Sequence, residues 1–222
     1  MLEMPSLWKG GRLTMTAPIV VAVAIPCQDL IHTETVKALI ALQASIGSVA
    51  LITQASTIAA KRNLAVEGLL KHNLAATHLF FLDSDIVPPP DTITRLLTAD
   101  KAIVGGLYAQ RKPPSRLMAG WFSTPEGEQV DKRVSAHTGL KKVHWVGGGA
   151  LLVAREVCEG LPAPWFAEDI AGKEAEEIFF QRKARDAGFE VWVDTNCIVG
   201  HLGITAITPD NASIFEKAGA LL

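Results

Sequence analysis

The 222-residue chain lacks several features that would assign it to a well-defined class of protein. Its three cysteines, Cys27, Cys158 and Cys197, do not have the spacing of a metal site, and their odd number suits a reducing compartment, which predicts a cytoplasmic protein. The net charge is −2 and no run of basic residues is longer than two, which argues against a nucleic-acid-binding surface. No apolar stretch reaches the length of a membrane span, and the best candidate, residues 17–26, suits a strand.

The turn after the first predicted strand lacks glycine. The apolar run PIVVAVAI, residues 18–25, leads into Pro26-Cys27-Gln28-Asp29, so the phosphate loop of a P-loop or dinucleotide-binding protein is absent. Residues 1–16 have no apolar core and carry an acid at position 3, which predicts a disordered leader and not a signal peptide. We expect one domain over residues 17–205 and a helical tail over residues 206–222.

The remaining hydrophobic pattern predicts an α/β fold with a mixed, mainly parallel sheet flanked by helices. Strands and helices alternate at first, which is typical of a parallel βαβαβ half-domain. The segment from 117 to 146 is polar and rich in loops, and we expect antiparallel pieces there. The predicted strands are 18–25, 49–53, 79–82, 102–104, 117–122, 142–146, 150–154, 189–193 and 197–199, and the predicted helices are 33–46, 57–74, 91–97 and 174–187, the last closed by Gly188.

The strongest chemical signal follows the third predicted strand. Four large apolar residues, 79–82, end in Asp83-Ser84-Asp85, and open α/β sheets bind ligands at the carboxyl ends of their strands. In an extended chain the two carboxylates point the same way, and two like charges so close are costly unless a cation lies between them. We therefore favour a divalent-cation site over a surface turn. The three prolines at 88–90 are expected to stop the strand and stiffen the loop.

Three further groups of residues are candidates for a site. Glu174, Glu176 and Glu177 begin a helix, where the helix dipole alone favours acids, but its apolar face could aim Glu177 toward a pocket. His201 follows an apolar strand and is either structural or a metal ligand. The glycines 147–149 form a flexible turn or let a ligand approach the backbone closely. Four tryptophans could be core residues or platforms on which a sugar stacks: Trp121, Trp145, Trp165 and Trp192. We favour Trp145 as a platform, because it lies next to the glycines.

Together these motifs resemble the GT-A fold nucleotide-sugar glycosyltransferases of the family-2 type. The triplet Asp83-Ser84-Asp85 after an apolar strand resembles the DXD motif of that family. The resemblance implies that Asp85 binds Mn²⁺ or Mg²⁺ on the donor diphosphate and that Asp83 lies by the ribose or the metal. The later segment VGHLG resembles the one whose histidine completes the metal site, here His201.

The resemblance covers residues 19–203 and implies further donor contacts. AAKRNLA resembles the helix whose arginine and asparagine approach the donor nucleotide, and VGGG resembles the segment next to the acceptor and the donor sugar. The end of the first strand corresponds to the position beside the base. The residues that this implies for donor binding are Pro26, Arg62, Asn63, Gly148 and Gly149, together with Asp83, Ser84 and Asp85.

The segment EEIFFQRKARDAGFEVWVD resembles the acid-pair helix of the family, which usually reads Glu-Asp where this chain has Glu176-Glu177. The resemblance implies that these are the catalytic residues, with Glu177 as the base of an inverting reaction or the carboxylate that positions the acceptor in a retaining one. The implied reaction transfers a sugar from a UDP- or GDP-linked donor to a saccharide or other hydroxyl acceptor. The short C-terminal part leaves little acceptor domain, which a partner or a homo-oligomer could supply.

Three other functions remain open. A HAD-type phosphotransferase also uses Asp-x-Asp after a strand, here Asp83 and Asp85, although in that family the motif follows the first strand. A sugar nucleotidyltransferase shares the architecture but needs a loop rich in glycine and arginine after the first strand, where this chain has AIPCQDL. A non-catalytic module that binds nucleotide sugars would show the same motifs without turnover.

Overall fold

The structure is a computed structural model, and it describes residues 19–45, 48–71, 75–111, 114–123, 130–168 and 174–203. The predicted leader and the predicted C-terminal helix lie outside these residues. Within the described part of the chain, no helix has both the length and the apolar character that crossing a membrane requires.

The N-terminal half is the predicted βαβαβ unit. β1 pairs in parallel with β2 on one side and with β3 on the other, and all six residues of β1 are buried. This confirms the alternation of strands and helices that the hydrophobic pattern predicts. The elements are β1 (Val21–Pro26), α1 (Thr33–Ser45), β2 (Ser48–Thr53), α2 (Ile58–Lys71) and β3 (His78–Leu82).

The C-terminal half supplies four more strands of the main sheet and two small sheets. β6, β7 and β9 form an antiparallel three-stranded sheet, which confirms the antiparallel pieces expected in this region. The elements are β4 (Ile86–Val87), α3 (Thr92–Thr98), β5 (Ile103–Leu107), β6 (Ala119–Phe122), β7 (Val130–Arg133), β8 (Leu140–Val143), β9 (Trp145–Val146), β10 (Ala150–Ala154), α4 (Arg155–Gly160), α5 (Glu176–Asp186), β11 (Val191–Ile198) and β12 (Gly200–His201).

The main sheet has seven strands in the order β2-β1-β3-β10-β5-β11-β8. β5 and β11 are parallel to each other, whereas β10 is antiparallel to both β3 and β5, and β8 is antiparallel to β11. Five strands therefore share one direction, and their carboxyl ends meet at one edge. Because β10 runs the other way, the glycines 147–149 that precede it lie at that same edge, opposite the end of β3.

The central strands are buried on both faces, as the apolar run 79–82 predicts. Leu79 and Phe81 belong to one apolar cluster, with residues of α2, α4 and α5, while Phe80 and Leu82 belong to a second, with residues of α1 and α3. Helices thus cover both faces of the sheet, which is typical of a mainly parallel sheet.

Several local predictions are wrong in detail. The prolines 88–90 do not end the third strand; β3 already ends at Leu82, and the chain turns and forms β4 before it reaches them. The two strands predicted over 189–193 and 197–199 are one strand, β11, with a register shift between Asp194 and Ile198. Gly188 has φ +92°, which confirms it as the residue that terminates α5.

Gln181 of α5 links the helix to the small sheet, and its loss tests that link. Its buried side chain accepts from Val146 N at 2.8 Å and donates to Val146 O at 2.7 Å. Gln181→Leu keeps the side-chain volume but leaves the N–H and the carbonyl of Val146 without this partner. We therefore expect the free energy of unfolding to fall by about 2–5 kcal/mol in a urea titration. Gln110→Leu, at an exposed position, is the control and should change stability by less than about 0.5 kcal/mol. Equal stability of the two variants would contradict this account.

Candidate functional site

The polar residues singled out in the sequence meet at the carboxyl edge of the sheet. Asp83 follows β3 directly; its N–H donates to Gly149 O at 3.0 Å, and its own carbonyl accepts from Ile86 N at 3.1 Å. The bond from Ile86 N to Asp83 O closes a turn over residues 83–86. The prediction that Asp83 and Asp85 extend from a strand in the same direction is therefore wrong. The two carboxylates instead have different partners on different elements. Ser84 contributes its carbonyl, which accepts from His32 N at 2.9 Å.

Arg62 of α2 is the centre of one half of the site. Its side chain is 2% exposed, and its three nitrogens each have a partner: Nε donates to Glu176 Oε1 at 3.1 Å, Nη1 to Gly148 O at 3.0 Å and Nη2 to Asp83 Oδ1 at 2.9 Å. The guanidinium also lies 5.2 Å from the centre of the Phe81 ring. A buried charge needs such complete pairing, so Arg62 is a structural cation as well as a candidate site residue.

Burial and charge shape the ionisation of these groups. Burial alone would lower the pKa of Arg62, but Asp83, Glu176 and Glu177 outweigh it and hold the pKa above its ordinary value. The pKa of Asp83 is raised, first by burial and then by the nearby acids, although Arg62 opposes the shift. Asp83 is therefore a poorly solvated carboxylate that depends on one cation.

Glu177 lies beside this ion pair, and its pKa differs from that of an exposed acid at the start of a helix. Burial, followed by repulsion from Glu176, raises the pKa of Glu177 to about 8, and Arg62 offsets only part of the shift. A Cβ added at Gly148 would lie 3.2 Å from Glu177 Cβ, so the first turn of α5 packs against the glycine segment at the sheet edge. A carboxyl group with its pKa near neutrality is suited to take up and release protons.

Asp85 forms the second half of the site with His201 and Arg111. β12 pairs with β4 so that His201 stands opposite Ile86, next to Asp85. His201 Nδ1 donates to Ala109 O at 2.9 Å, which leaves Nε2 facing Asp85 Oδ2 at 3.5 Å. The exposed Arg111 also pairs with Asp85 Oδ2. The predicted neighbourhood of Asp85 and His201 is thus present.

The pKa shifts of this pair follow from their contact. Burial by itself would raise the pKa of Asp85, but the hydrogen bond and charge of His201, with the charge of Arg111, bring it below its ordinary value. Asp85 accepts a hydrogen bond from His201 Nε2, which raises the pKa of His201. The pKa of Asp85 is therefore lowered and that of Glu177 is raised, although both are carboxyl groups at the same edge of the sheet.

The donor set fits a divalent cation only in part. Among the described residues, no group of three or more His, Cys, Asp or Glu side chains is arranged to hold a metal. Oδ1 of Asp83 pairs with Arg62, which sets this carboxylate apart from the contact between Asp85 and His201. Asp85 and His201 Nε2 could provide two ligands to a cation whose remaining positions are filled by substrate phosphate and water.

The glycines 147–149 are required by close packing against protein. A Cβ on Gly147 would lie 2.3 Å from the Tyr108 hydroxyl, one on Gly148 2.9 Å from Arg62 Nη2, and one on Gly149 3.1 Å from Asp83 Oδ2. The buried Tyr108 hydroxyl also accepts from Gly149 N at 3.0 Å. The glycines therefore let the site side chains approach the backbone.

Other residues singled out in the sequence have structural contacts. The Asn63 amide donates to Phe166 O at 2.8 Å and accepts from the N–H groups of Trp165 and Phe166, both at 3.0 Å. Pro26 is the buried last residue of β1. Trp145 is 2% exposed, so its prediction as a stacking platform is wrong.

Sequence reasoning missed Tyr108 and Arg111 as members of the site. Both follow β5, whose carboxyl end lies at the same edge as that of β3. The predicted strand 102–104 is too short to bring them there. A longer strand through Gly105-Gly106 would have placed this segment beside the acids.

No family model matches the chain, and no curated protein matches it. Among solved structures, it is similar to A197 from STIV, with a TM-score of 0.60 and 18% identity over 86% of this chain and 91% of that one. The inositol-1-phosphate CTP transferase from T. maritima has a TM-score of 0.49 and 12% identity, over 90% and 96% of the two chains. A glycosyltransferase involved in the glycosylation of the major capsid of PBCV-1 has 0.40 and 11%, over 80% and 93%.

The likeness to A197 from STIV shows a shared fold, and the other two are too slight to support an inference. The predicted architecture, a single α/β domain with a mixed, mainly parallel sheet flanked by helices, is confirmed.

The ion pairs of Arg62 predict a large cost for its removal. Arg62→Met keeps the apolar stem but leaves Asp83 and Glu176 without their cation, so we expect a loss of about 3–5 kcal/mol of stability in a urea titration. Arg95→Met, which breaks an exposed pair with Asp91, is the control and should cost about 0–1 kcal/mol. Glu176→Gln added to Arg62→Met should recover part of the loss. A loss no larger than that of the control would contradict the role of Arg62.

The raised pKa of Glu177 predicts a specific pH dependence of stability. A carboxyl group whose pKa is higher in the folded state stabilises the fold fully below about pH 4.5, and this contribution is lost as the pH rises through about 8. The free energy of unfolding of the unmodified chain should fall across this window relative to Glu177→Gln. Glu34→Gln, at an exposed position of α1, should instead run parallel to the unmodified chain. Parallel curves for Glu177→Gln would show that burial does not perturb Glu177.

Proposed function

We propose that this chain is a metal-dependent glycosyltransferase, which transfers a sugar from a UDP- or GDP-linked donor to a hydroxyl acceptor. The observation that carries the proposal is the opposite ionisation of two carboxyl groups at one sheet edge. Asp85 has a lowered pKa and faces His201, whereas Glu177 has a pKa raised to about 8. Environments that shift the pKa values of two acids in opposite directions suit the two acids to different roles in a reaction.

The position of the site supports a phosphorylated donor. The carboxyl edge of an open α/β sheet is where such folds bind ligands, and the GT-A-like fold is consistent with a nucleotide-derived one. In this proposal the donor base lies by Pro26 at the end of β1, and the donor sugar lies by Gly148 and Gly149. Arg62, through Asp83, and Asn63, through the 165–166 segment, shape the wall of the donor site.

Asp85 and His201 would hold Mn²⁺ or Mg²⁺. The Nδ1–H of His201 is used by Ala109 O, so its other nitrogen is directed at Asp85, as in ligands oriented by a backbone partner. A bound divalent cation would neutralise the charge of the diphosphate as it leaves. Arg111, which pairs with Asp85 and is exposed, would turn toward the phosphates once Asp85 has a metal to bind.

Glu177 would take the proton of the acceptor hydroxyl in an inverting reaction. The acceptor oxygen forms a bond to the anomeric carbon, the bond from that carbon to the diphosphate oxygen breaks, and the proton passes to Glu177. A base with a pKa near the working pH is the most effective for such a transfer. In a retaining reaction the same carboxylate would position the acceptor.

The position of the acidic triplet disfavours the phosphotransferase alternative, because the motif of that family follows the first strand and here the triplet follows β3. A binding module without turnover is separated from an enzyme by the experiment below. A cytoplasmic location and a homo-oligomer or partner that completes the acceptor site remain predictions.

The proposal is tested by thermal unfolding with UDP, GDP, CMP and ADP, each with and without Mn²⁺. A ligand at about a hundred times its dissociation constant stabilises by ~2.7 kcal/mol, which raises the melting temperature of a chain of this size by roughly 5–10 °C. We expect this shift for one nucleoside diphosphate and only with the metal. Asp85→Asn should abolish it, because a ligand of the cation is lost, while Asp91→Asn, an exposed acid of the next turn, should not.

Turnover is then measured as release of that nucleoside diphosphate from its sugar donor. Glu177→Gln should retain the thermal shift and lose the release, because donor binding does not need the base. Retention of both activities in Glu177→Gln would assign catalysis to another residue. A shift without any release by the unmodified chain would identify a binding module, and no shift with any nucleotide would overturn the proposal.

A further inference from the structure

A second cleft, of about 840 Å³, lies at the end of the sheet where the parallel strand β11 begins, opposite the end that carries the candidate site. Val191, the first residue of β11, lines this cleft, whereas His201 follows the end of the same strand. Eight residues of extended chain span roughly 25 Å, so the two regions are well separated. The volume is within the range of about 300–1,000 Å³ that is typical of sites for small molecules.

Aromatic rings in fixed orientations line this cleft. Trp121 of β6 and Phe189, just before β11, are partly exposed while they pack on the apolar core, and His144 follows β8. Trp121 Nε1 donates to Lys142 O at 3.1 Å, and His144 Nδ1 accepts from Phe122 N at 3.0 Å. Rigid aromatic faces beside polar groups give contact area at a low cost in conformational entropy, and they suit ligands with an apolar face and a polar rim.

The charges around the cleft cancel. Lys142 and Arg185 face Asp186 and Glu190, and Lys142 Nζ pairs with Glu190 Oε1 at 2.6 Å. A cleft that binds a nucleic acid by stacking would also need a net positive groove for the phosphates. Balanced carboxylates and cations are instead suited to the hydroxyl groups of an uncharged ligand, which both donate and accept hydrogen bonds.

We propose that this cleft binds a neutral oligosaccharide, with a sugar ring stacked on Trp121 and its hydroxyls bonded to Asp186 and Glu190. The proposal goes beyond the proposed function, because it concerns binding at the edge of the sheet where no transfer takes place. Its test needs no sugar donor, metal or turnover, so its failure is distinguishable from failure of the glycosyltransferase proposal. Such a site would hold a saccharide chain on the enzyme while its end reacts elsewhere.

The test is an NMR titration of the ¹⁵N-labelled full chain with linear hexasaccharides of β-1,4-linked and α-1,4-linked glucose, each measured separately. The indole N–H signal of Trp121 should move with at least one of them, whereas that of Trp165 should not. Trp165 is the control for the signal, because its indole N–H donates to Cys158 O at 2.8 Å and the residue does not line the cleft. Trp121→Ala should raise the dissociation constant at least about tenfold, equal to ~1.4 kcal/mol, and Leu30→Ala, at an exposed apolar position outside the cleft, should leave it unchanged.

A second variant, Asp186→Asn, keeps the test decisive if Trp121→Ala does not fold. The Asp186 side chain is exposed and lies on the rim of the cleft. Asp186→Asn should weaken saccharide binding without moving the Trp121 signal of the free protein. A uridine decamer is titrated in parallel. Absence of binding by both hexasaccharides, binding that survives Trp121→Ala, or movement of the Trp121 signal by the decamer alone would each overturn the proposal.

Discussion

The buried guanidinium of Arg62 is the interaction on which the candidate site depends. It joins Asp83 after β3, Gly148 before β10 and Glu176 at the start of α5, three segments that lie far apart in the sequence. Burial of a cation is costly, and this cost is offset because all three nitrogens of its fork are paired and an aromatic ring lies beside it. The same contacts fix the turn that carries the acidic triplet. One paired charge therefore holds three segments of the site together.

Charge is divided unevenly along this edge of the sheet, and the division gives the site its chemical character. Arg62 is occupied by Asp83 and Glu176, so it only partly relieves Glu177, whose pKa stays high. On the other side of the triplet, His201 and Arg111 keep Asp85 ionised. A carboxyl group with a lowered pKa is suited to bind a cation, and one that titrates near neutrality is suited to move a proton. Burial raises the pKa of Glu177, whereas the contacts with His201 and Arg111 lower that of Asp85.

Topology brings these groups together. The insertion of the antiparallel β10 between β3 and β5 carries the glycines 147–149 to the edge where the parallel strands end. These glycines have no side chains, so Arg62, Tyr108 and Asp83 can pack against their backbone. The opposite edge has a different composition, with aromatic rings and balanced charges around a separate cleft. One sheet thus presents two surfaces of different chemistry, and the shared fold with A197 from STIV specifies neither of them.

Local patterns in the sequence determined the strands and helices of this protein and the edge at which its acids lie. Hydrophobic runs and helix stops depend on neighbours within a few residues, so they identified the βαβαβ unit and the end of α5 at Gly188. Only the tertiary structure decided which charges meet. The pairing of Asp83 with Gly149, the pairing of β12 with β4 that brings His201 to Asp85, and the ion pair between Arg62 and Glu176 all join residues that are distant in the chain. Burial and distance set the pKa of each carboxyl group, and no local pattern of residues encodes either quantity.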